Sequence, residues 1–353
     1  MTKRERVEAV YRLEKADRIP FVPAIYEHKG ALVGKTPSEI CRNADYLYAG
    51  LKREAELYDA DMLVIGIDVY NVEAEALGCK VVYFDNSTEV PAIVEPLIKE
   101  AADLDRLGLP DPSKDGRMPI YLDVAARLGR ELGAEMILRG AVTGPFSLAT
   151  SLMGLEKLLM ASVEEPEWVE KMLAFCAQVT ILFSKGFLAR GVEPIIFDSQ
   201  ATPQIASPRI FRQFLKPLYR DVVLPELKAA GGRYLPLIIG GNTTSIIDDL
   251  IATGATQFLS DRPANLAKWC EKGLAARVPV RANVDARLIH SGPVAAIRKQ
   301  SMEILSGFHN HPGFLLGCGV VAYDCPAEHT HAILNAIKDV AKGGVDFEKE
   351  LAS

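Results

Sequence analysis

Short apolar runs ending in polar or small residues alternate along this chain with longer stretches whose apolar positions recur at helical spacing. The runs are Ile19 to Ile25, Asp61 to Ile67, Glu135 to Val142, Glu193 to Phe197, Leu235 to Ile239, Thr256 to Ser260, Val278 to Ala282 and Gly313 to Gly317. Each reads as a buried strand. Helical stretches are predicted over 2–16, 38–58, 121–132, 147–160, 166–190, 208–230, 264–272, 293–306 and 326–341. Strands that alternate with helices imply a parallel sheet. About eight such units at this length match a (β/α)8, TIM-like barrel, the α/β fold class expected here. Residues 1–18 become an N-terminal helical extension. Residues 81–118, rich in Pro and Asp, become an excursion with a small hairpin at Val81 to Phe84, within one domain spanning 1–353. An open doubly wound sheet is the competing reading. It calls for a glycine fingerprint after the first strand, and Ala24-Ile-Tyr-Glu-His-Lys-Gly30 is not one.

The barrel reading gives the strand ends a meaning, because ligands bind at the C-terminal face. The residues just past the strands would ring that mouth: Glu27 or His28, Asp68, Phe146, Asp198, Asn242, Asp261, Asn283 or Asp285, and Cys318. Gly240-Gly241 lets the chain turn sharply after one strand, and Asn242 can either face the mouth or cap the following helix.

Composition narrows the function class. The 353 residues carry a net charge of -6 with both signs spread along the chain, so no basic block points to nucleic acid. The apolar runs are strand-sized rather than membrane-spanning, and the charged N-terminus lacks a signal core. The six cysteines form no CxxC pair, so neither a disulfide framework nor a zinc ribbon is indicated, and a cytoplasmic location is expected.

Five segments then carry a resemblance: Gly140-Ala-Val-Thr-Gly-Pro-Phe-Ser-Leu-Ala149, Phe197-Asp-Ser199, Ile205-Ala-Ser-Pro-Arg-Ile-Phe-Arg-Gln-Phe214, Gly240-Gly-Asn-Thr-Thr244 and Leu316-Gly-Cys-Gly319. In this order the chain resembles the uroporphyrinogen decarboxylase superfamily, which implies a TIM-like barrel with an N-terminal extension. In the decarboxylase branch, N-terminal arginines hold the carboxylates of a tetrapyrrole. Here the matching segment is Ile25-Tyr-Glu-His-Lys-Gly-Ala31, without arginine. That branch's aspartate matches Asp68, while its tyrosine and late histidine fall at Ser151 and Cys318. The other branch is similar to methylcobalamin:coenzyme M methyltransferase, with a His-x-Cys-Gly-Asn zinc motif and a late Cys. Cys318 fits the late Cys, but Ile238 and Gly240 stand at the other two ligand positions, so thiol activation on zinc is not carried over.

The resemblance therefore implies a corrinoid-dependent methyltransferase component. It would move a methyl group between a small methylated substrate, a methoxylated aromatic being one candidate, and a separate corrinoid-binding protein. The alternatives are a decarboxylase and a non-catalytic ligand-binding barrel. Asp68 and Asn71 are the expected catalytic residues, and Tyr70, Phe146, Asp198 and Asn242 the expected substrate contacts. If a metal such as zinc is bound, Cys318 or Glu73 should hold it, and Glu27 and His28 could add ligands. Bland readings stand beside these. Asp198 can be a hydrogen-bonded structural carboxylate, Glu73 solvated surface and Cys318 a buried filler. Cys325, His329 and His331 look metal-like by type only, and His309 and His311 fall at the wrong end of their strand for the mouth.

Overall fold

The computed structural model describes residues 1–352. The apolar runs become parallel strands: β1 (Ala24–Ile25), β2 (Met62–Ile65), β3 (Ile137–Thr143), β4 (Glu193–Phe197), β5 (Pro236–Ile238), β6 (Gln257–Ser260), β7 (Val280–Val284) and β8 (Phe314–Cys318). β2 to β8 form one curled seven-stranded sheet in the order β8-β7-β6-β5-β4-β3-β2, every neighbouring pair parallel. The fold is a TIM-like barrel. β1 is far shorter than the run that predicts it, because Pro20 and Pro23 have no N–H to give a ladder. The segment still fills the gap between β8 and β2. Val22 N–H donates to Leu316 O (2.9 Å), Leu316 N–H to Pro20 O (3.1 Å) and Asp61 N–H to Phe21 O (2.8 Å). β1 itself pairs with Val320–Val321, just past β8.

The fully buried Asp61 carboxylate pins this join. It accepts from Phe21 N–H (2.6 Å), from Arg18 Nη1 (2.6 Å) and from Arg6 Nη1 (2.7 Å). Arg6 lies on the N-terminal helix Lys3–Tyr11, which starts at a Thr2–Glu5 capping box. That helix closes the bottom of the barrel. Its Val7 and Val10 pack with Met62, Ile137 and Leu315, and Arg139 of β3 donates to Tyr11 Oη (2.6 Å) and Tyr234 O (2.6 Å).

Alternate strand residues face opposite ways. Val64, Ala141, Ile195, Phe197, Ile238 and Leu259 turn into the upper barrel, where with Ala24 and Tyr26 they form an apolar cluster of their own. Leu63, Val142, Ile196, Leu237 and Phe258 join the main core against the helices. The helix Pro166–Leu188 is long and apolar enough to cross a membrane, contrary to the strand-sized runs read from the sequence. It packs along β3 and β4, with Met172, Cys176, Phe183 and Phe187 fully buried.

The stretch 208–230 is helical as expected but contains two wider π turns, Phe211–Leu215 and Tyr219–Val223. Pro217 and Pro225 lie in the α-helical pieces that follow these turns, and each deprives the helix of an N–H. In the excursion, Val81–Val82 pairs antiparallel with Ala92–Ile93, a hairpin that leads by way of a short helix to Arg117 and the helix Met118–Leu132.

Candidate active site

At the C-terminal ends of the strands the barrel holds a cavity of about 590 Å³. A cleft of about 660 Å³ lined by Lys99, Leu155, Met160 and Trp168 lies on the outer helices. The mouth cavity is the candidate site, because strand tips and loops converge there. Ala24, Tyr26, Phe197, Ile238 and Leu259 make its apolar wall, with Val69 and Tyr70 packed against them. Tyr26 and Phe197 meet edge to face, ring centres 5.8 Å apart.

Asp68 lies on the cavity edge, delivered by the turn after β2. Gly66 lets that turn come close, since a Cβ there would stand 2.6 Å from the Ala141 Cβ. Asp68 is 4% exposed. Asn71 Nδ2 donates to Asp68 Oδ1 (2.6 Å) and also to Pro91 O (2.6 Å), which ties the excursion to the mouth. Arg117 Nη2 stands 2.6 Å from Asp68 Oδ2, close in charge but not aligned as a hydrogen bond. Arg117 also pairs with Glu75 and lies 5.4 Å from the centre of the Tyr83 ring. Burial raises the pKa of Asp68, against the pull of Arg117 and Asn71. Burial also works against the charge of Arg117, but Tyr121, Asp68, Cys41 and Glu75 around it hold its pKa above the usual guanidinium value. The pair suits a carboxyl that gives up a proton and is left as an anion beside a fixed cation.

Tyr70 lines the cavity, and its hydroxyl meets Ser199 Oγ at 2.6 Å, which joins the loops after β2 and β4. Glu27 also lines it, its pKa raised by burial. Several other expected residues point elsewhere. His28 is turned into the protein. Its Nδ1–H donates to Tyr323 O (2.9 Å), and its Nε2 accepts from Tyr58 O–H (2.6 Å). Phe146 is 1% exposed and lies outside the cavity lining. Asp198 follows the inward-facing Phe197 and so turns outward, fully buried. It accepts from Ser147 N–H (2.7 Å) and Tyr219 O–H (2.7 Å), bracing the start of the helix Pro145–Met153. It is a structural carboxylate rather than a substrate contact. Asn242 is exposed outside the lining, and its Oδ1 accepts from Thr244 N–H (3.2 Å), closing the turn ahead of the helical turn Thr244–Ile246, whose N-cap is Thr243.

The two expected metal ligands are also displaced. Cys318 is fully buried behind the cavity wall, and burial pushes its thiol up to about 11, against a backbone hydrogen bond and the nearby Arg281. Glu73, at the start of the helix Val72–Ala76, is 1% exposed and directed at the end of β3. Thr143 N–H donates to its Oε1 (2.7 Å) and Thr143 O–H to its Oε2 (2.7 Å). Burial pushes the Glu73 pKa up to about 7 against these donors. Ile238 and Gly240 line the cavity without a donor atom between them. Among the described residues no three His, Cys, Asp or Glu groups converge as a metal would require, so this donor set does not fit zinc. Cys325 Sγ and His329 Nδ1 lie 4.0 Å apart and both face Ile289 O, but His331 turns away to Leu57 O (2.8 Å), so three ligands do not converge there either.

Two buried arginines were not expected at the site. Arg117 has no signal in the sequence beyond a charge at the end of a loop. Arg281 had one. It interrupts the apolar run of β7, and it shares its face with Asn283 two residues on, both of them on the cavity lining.

Known proteins can now be set beside this geometry. A family model described as Uroporphyrinogen decarboxylase (URO-D) matches residues 2–340. The uroporphyrinogen decarboxylase of Aeromonas salmonicida (strain A449) is 25% identical over 343 residues, covering 94% of this chain and 92% of that protein. That of Pseudomonas putida (strain KT2440) is 25% identical over 350 residues, covering 95% and 93%. Among solved structures, a methyltransferase from Methanosarcina mazei superposes with a TM-score of 0.84 at 22% identity, covering 96% of this chain and 99% of its own. At 22% identity the superposition shows a shared fold.

Proposed function

The chain belongs to the uroporphyrinogen decarboxylase (URO-D) family, and from that premise we propose that it is a methyltransferase acting on a small methylated substrate, with the methyl passing to a corrinoid held by a separate protein. One observation carries this reading. The cavity joins an apolar wall of ring-sized extent to a single buried carboxyl, Asp68, backed by Arg117. A cobalt(I) corrinoid on the partner would supply the nucleophile for the methyl. The near-complete fold match to the Methanosarcina mazei methyltransferase supports the same class.

This chain's part is to hold the substrate and manage a proton. A methyl ether is a poor electrophile, because its oxygen leaves badly as an alkoxide. Asp68 donates its proton to that oxygen as the carbon–oxygen bond breaks, and the electron pair of the bond stays on the oxygen. The carboxylate left behind is stabilised by Arg117 and by the Asn71 N–H. Since the Asn71 amide nitrogen already donates to Asp68 and Pro91, Asn71 acts as a positioning residue. The apolar wall excludes water from the leaving group.

The decarboxylase reading rests on the names of the curated relatives. Against it stands the 25–31 segment, whose cation, Lys29, is fully buried and within 3.4 Å of Glu54 rather than free to hold carboxylates. The decisive assay offers the protein a panel of methyl donors with a reduced corrinoid protein, and offers uroporphyrinogen in parallel. Methyl transfer is expected, with Asp68→Asn slowed by roughly 10²-fold or more. A general acid must be protonated, so the wild-type rate should fall as pH rises through the raised pKa of Asp68. Release of carbon dioxide without methyl transfer, or an Asp68→Asn enzyme as fast as wild type, would overturn the proposal.

A further inference from the structure

Along β7 the alternation places Val280, Ala282 and Val284 in the main core and turns Arg281 and Asn283 to the cavity. Arg281 is 6% exposed. Its Nη2 donates to Cys318 O (3.0 Å), and its buried Nε has no hydrogen-bond partner among the described residues. No carboxylate lies within 4.0 Å of its guanidinium among those residues. Asn283 is 7% exposed, and its buried Oδ1 is likewise without a partner among the described residues. Its amide can turn to present N–H or oxygen, since the two ends are alike in shape. A buried cation without a counter-charge is unfavourable, and folded proteins rarely leave one.

The surroundings are shaped to hold this group. Gly317 of β8 lies beneath the guanidinium; a Cβ there would meet Val22 O at 2.2 Å first and then Arg281 Nε at 2.9 Å and Nη2 at 3.0 Å. The acids on the cavity lining are otherwise engaged or distant. Asp68 pairs with Arg117, Asp261 accepts from Gly241 N–H (3.1 Å), and Asp285 accepts from the N–H groups of Arg287 (2.8 Å) and Leu288 (3.3 Å). Glu27 forms no ion pair with Arg281 among the described residues, and burial raises its pKa. Two exposed arginines on the same lining, Arg262 and Arg287, form no ion pair among the described residues and add positive charge near β7.

We infer that Arg281 and Asn283 form a carboxylate subsite, so that the substrate is an acid whose apolar body lies on the Tyr26–Phe197 wall. A guanidinium edge donates two parallel N–H bonds to the oxygens of a carboxylate, and the Asn283 N–H can donate to one of them. The β8 and β1 strands separate this subsite from Asp68, so the carboxylate and the leaving oxygen sit at different parts of the cavity. With the methyl-transfer reading, on which this step rests, the substrate class becomes methoxylated aromatic carboxylates. The apolar wall beside Arg281 favours a carboxylate on a ring over free phosphate.

Binding is measured by calorimetry for 4-methoxybenzoate, the matched uncharged 4-methoxybenzamide and inorganic phosphate. Wild type is expected to bind the benzoate at least tenfold tighter than the benzamide, and phosphate not detectably. Arg281→Gln should bind the two aromatic ligands alike, and Arg281→Lys should keep part of the preference. Circular dichroism and melting temperature check that each variant is folded. If Arg281→Gln does not fold, the wild-type ligand pair and Arg281→Lys still decide. Equal wild-type affinity for benzoate and benzamide, a preference unchanged in Arg281→Gln, or phosphate binding in place of the benzoate would each overturn the subsite. Methyl transfer is read separately. Arg281-dependent binding without transfer upholds the subsite and rejects the methyltransferase reading. Transfer from neutral donors that is indifferent to Arg281 does the reverse.

Discussion

At the scale of single residues, the cavity and its shell separate carboxyls by burial. Glu73 is held neutral-prone behind Asp68, its pKa raised from 4.5 to about 7. Between those values the folded protein keeps a proton that the unfolded chain has lost. The stability tied to this group is therefore present below pH 4.5 and lost as pH rises to 7. Glu73→Gln, which keeps an acceptor for Thr143, should match wild type near pH 4 and exceed it at pH 8 by ~3 kcal/mol in urea unfolding. Equal stability of the two proteins at both pH values would show that Glu73 is not strained by its burial. Glu54, also raised to about 7, is present in both proteins and drops out of the difference. Of the site, Asp68 and its neighbours Tyr70 and Asn71 were legible because they follow a strand tip at the barrel mouth. Asp198, Phe146 and Cys318 also follow or end strands and yet face away. Strand-end position says which end of the barrel a residue occupies, but the phase of the alternation says which side of the wall. Reading that phase from Ile195 and Phe197 would have turned Asp198 outward, and reading it along β7 would have placed Arg281 in the cavity.

At the scale of elements, β3, β4 and the second π turn meet at one close contact. A Cβ on Gly144 would come 2.5 Å from the Asp198 Cβ and Cγ and 2.6 Å from the Tyr219 hydroxyl. The Gly144 backbone is extended, at φ -75, so any residue could adopt it and the constraint is purely one of space. Gly144→Ala should cost about 1–3 kcal/mol by overpacking. Because it pushes on Asp198, it should also loosen the start of the helix Pro145–Met153. Urea unfolding gives the first and amide exchange at Ser147 the second. An unchanged midpoint with unchanged Ser147 exchange would mean that the contact relaxes freely. The order of strands and helices was readable from alternating apolar runs and helical spacing. The π turns were not, because they come from proline at positions that a periodicity count accepts as helical. Arg117 was not either, because its role depends on a hairpin that folds back over the mouth through Asn71 and Pro91.

At the scale of the whole molecule, the barrel is a ring whose sides are unequal. β3 and β4 share five paired positions and β7 and β8 another five. The join through residues 20–22 relies on two backbone bonds to Leu316 and, on the other side, one backbone bond and one carboxylate bond between Phe21 and Asp61, with the Asp61 carboxylate tied to Arg6 and Arg18 across the bottom. Ordinary sequence patterning showed that a ring would form, but not where it would be weakest, because the two prolines in that run were legible while the arginines that compensate for them lie elsewhere in the chain. A hoop under stress opens at its thinnest link, and this one can be timed. In deuterated water the amides of Phe21 and Val22 should take up label before those of β3 and β4. Asp61→Asn should speed uptake at the join many-fold while leaving the β3–β4 amides near their original rates, so that the barrel breathes as a clasp hinged on its far wall. Uniform acceleration around the ring would mean instead that the molecule opens all at once, with no clasp. The same clasp lies next to Ala24 and Tyr26 on the cavity wall, so a ligand seated there should slow its clock as well.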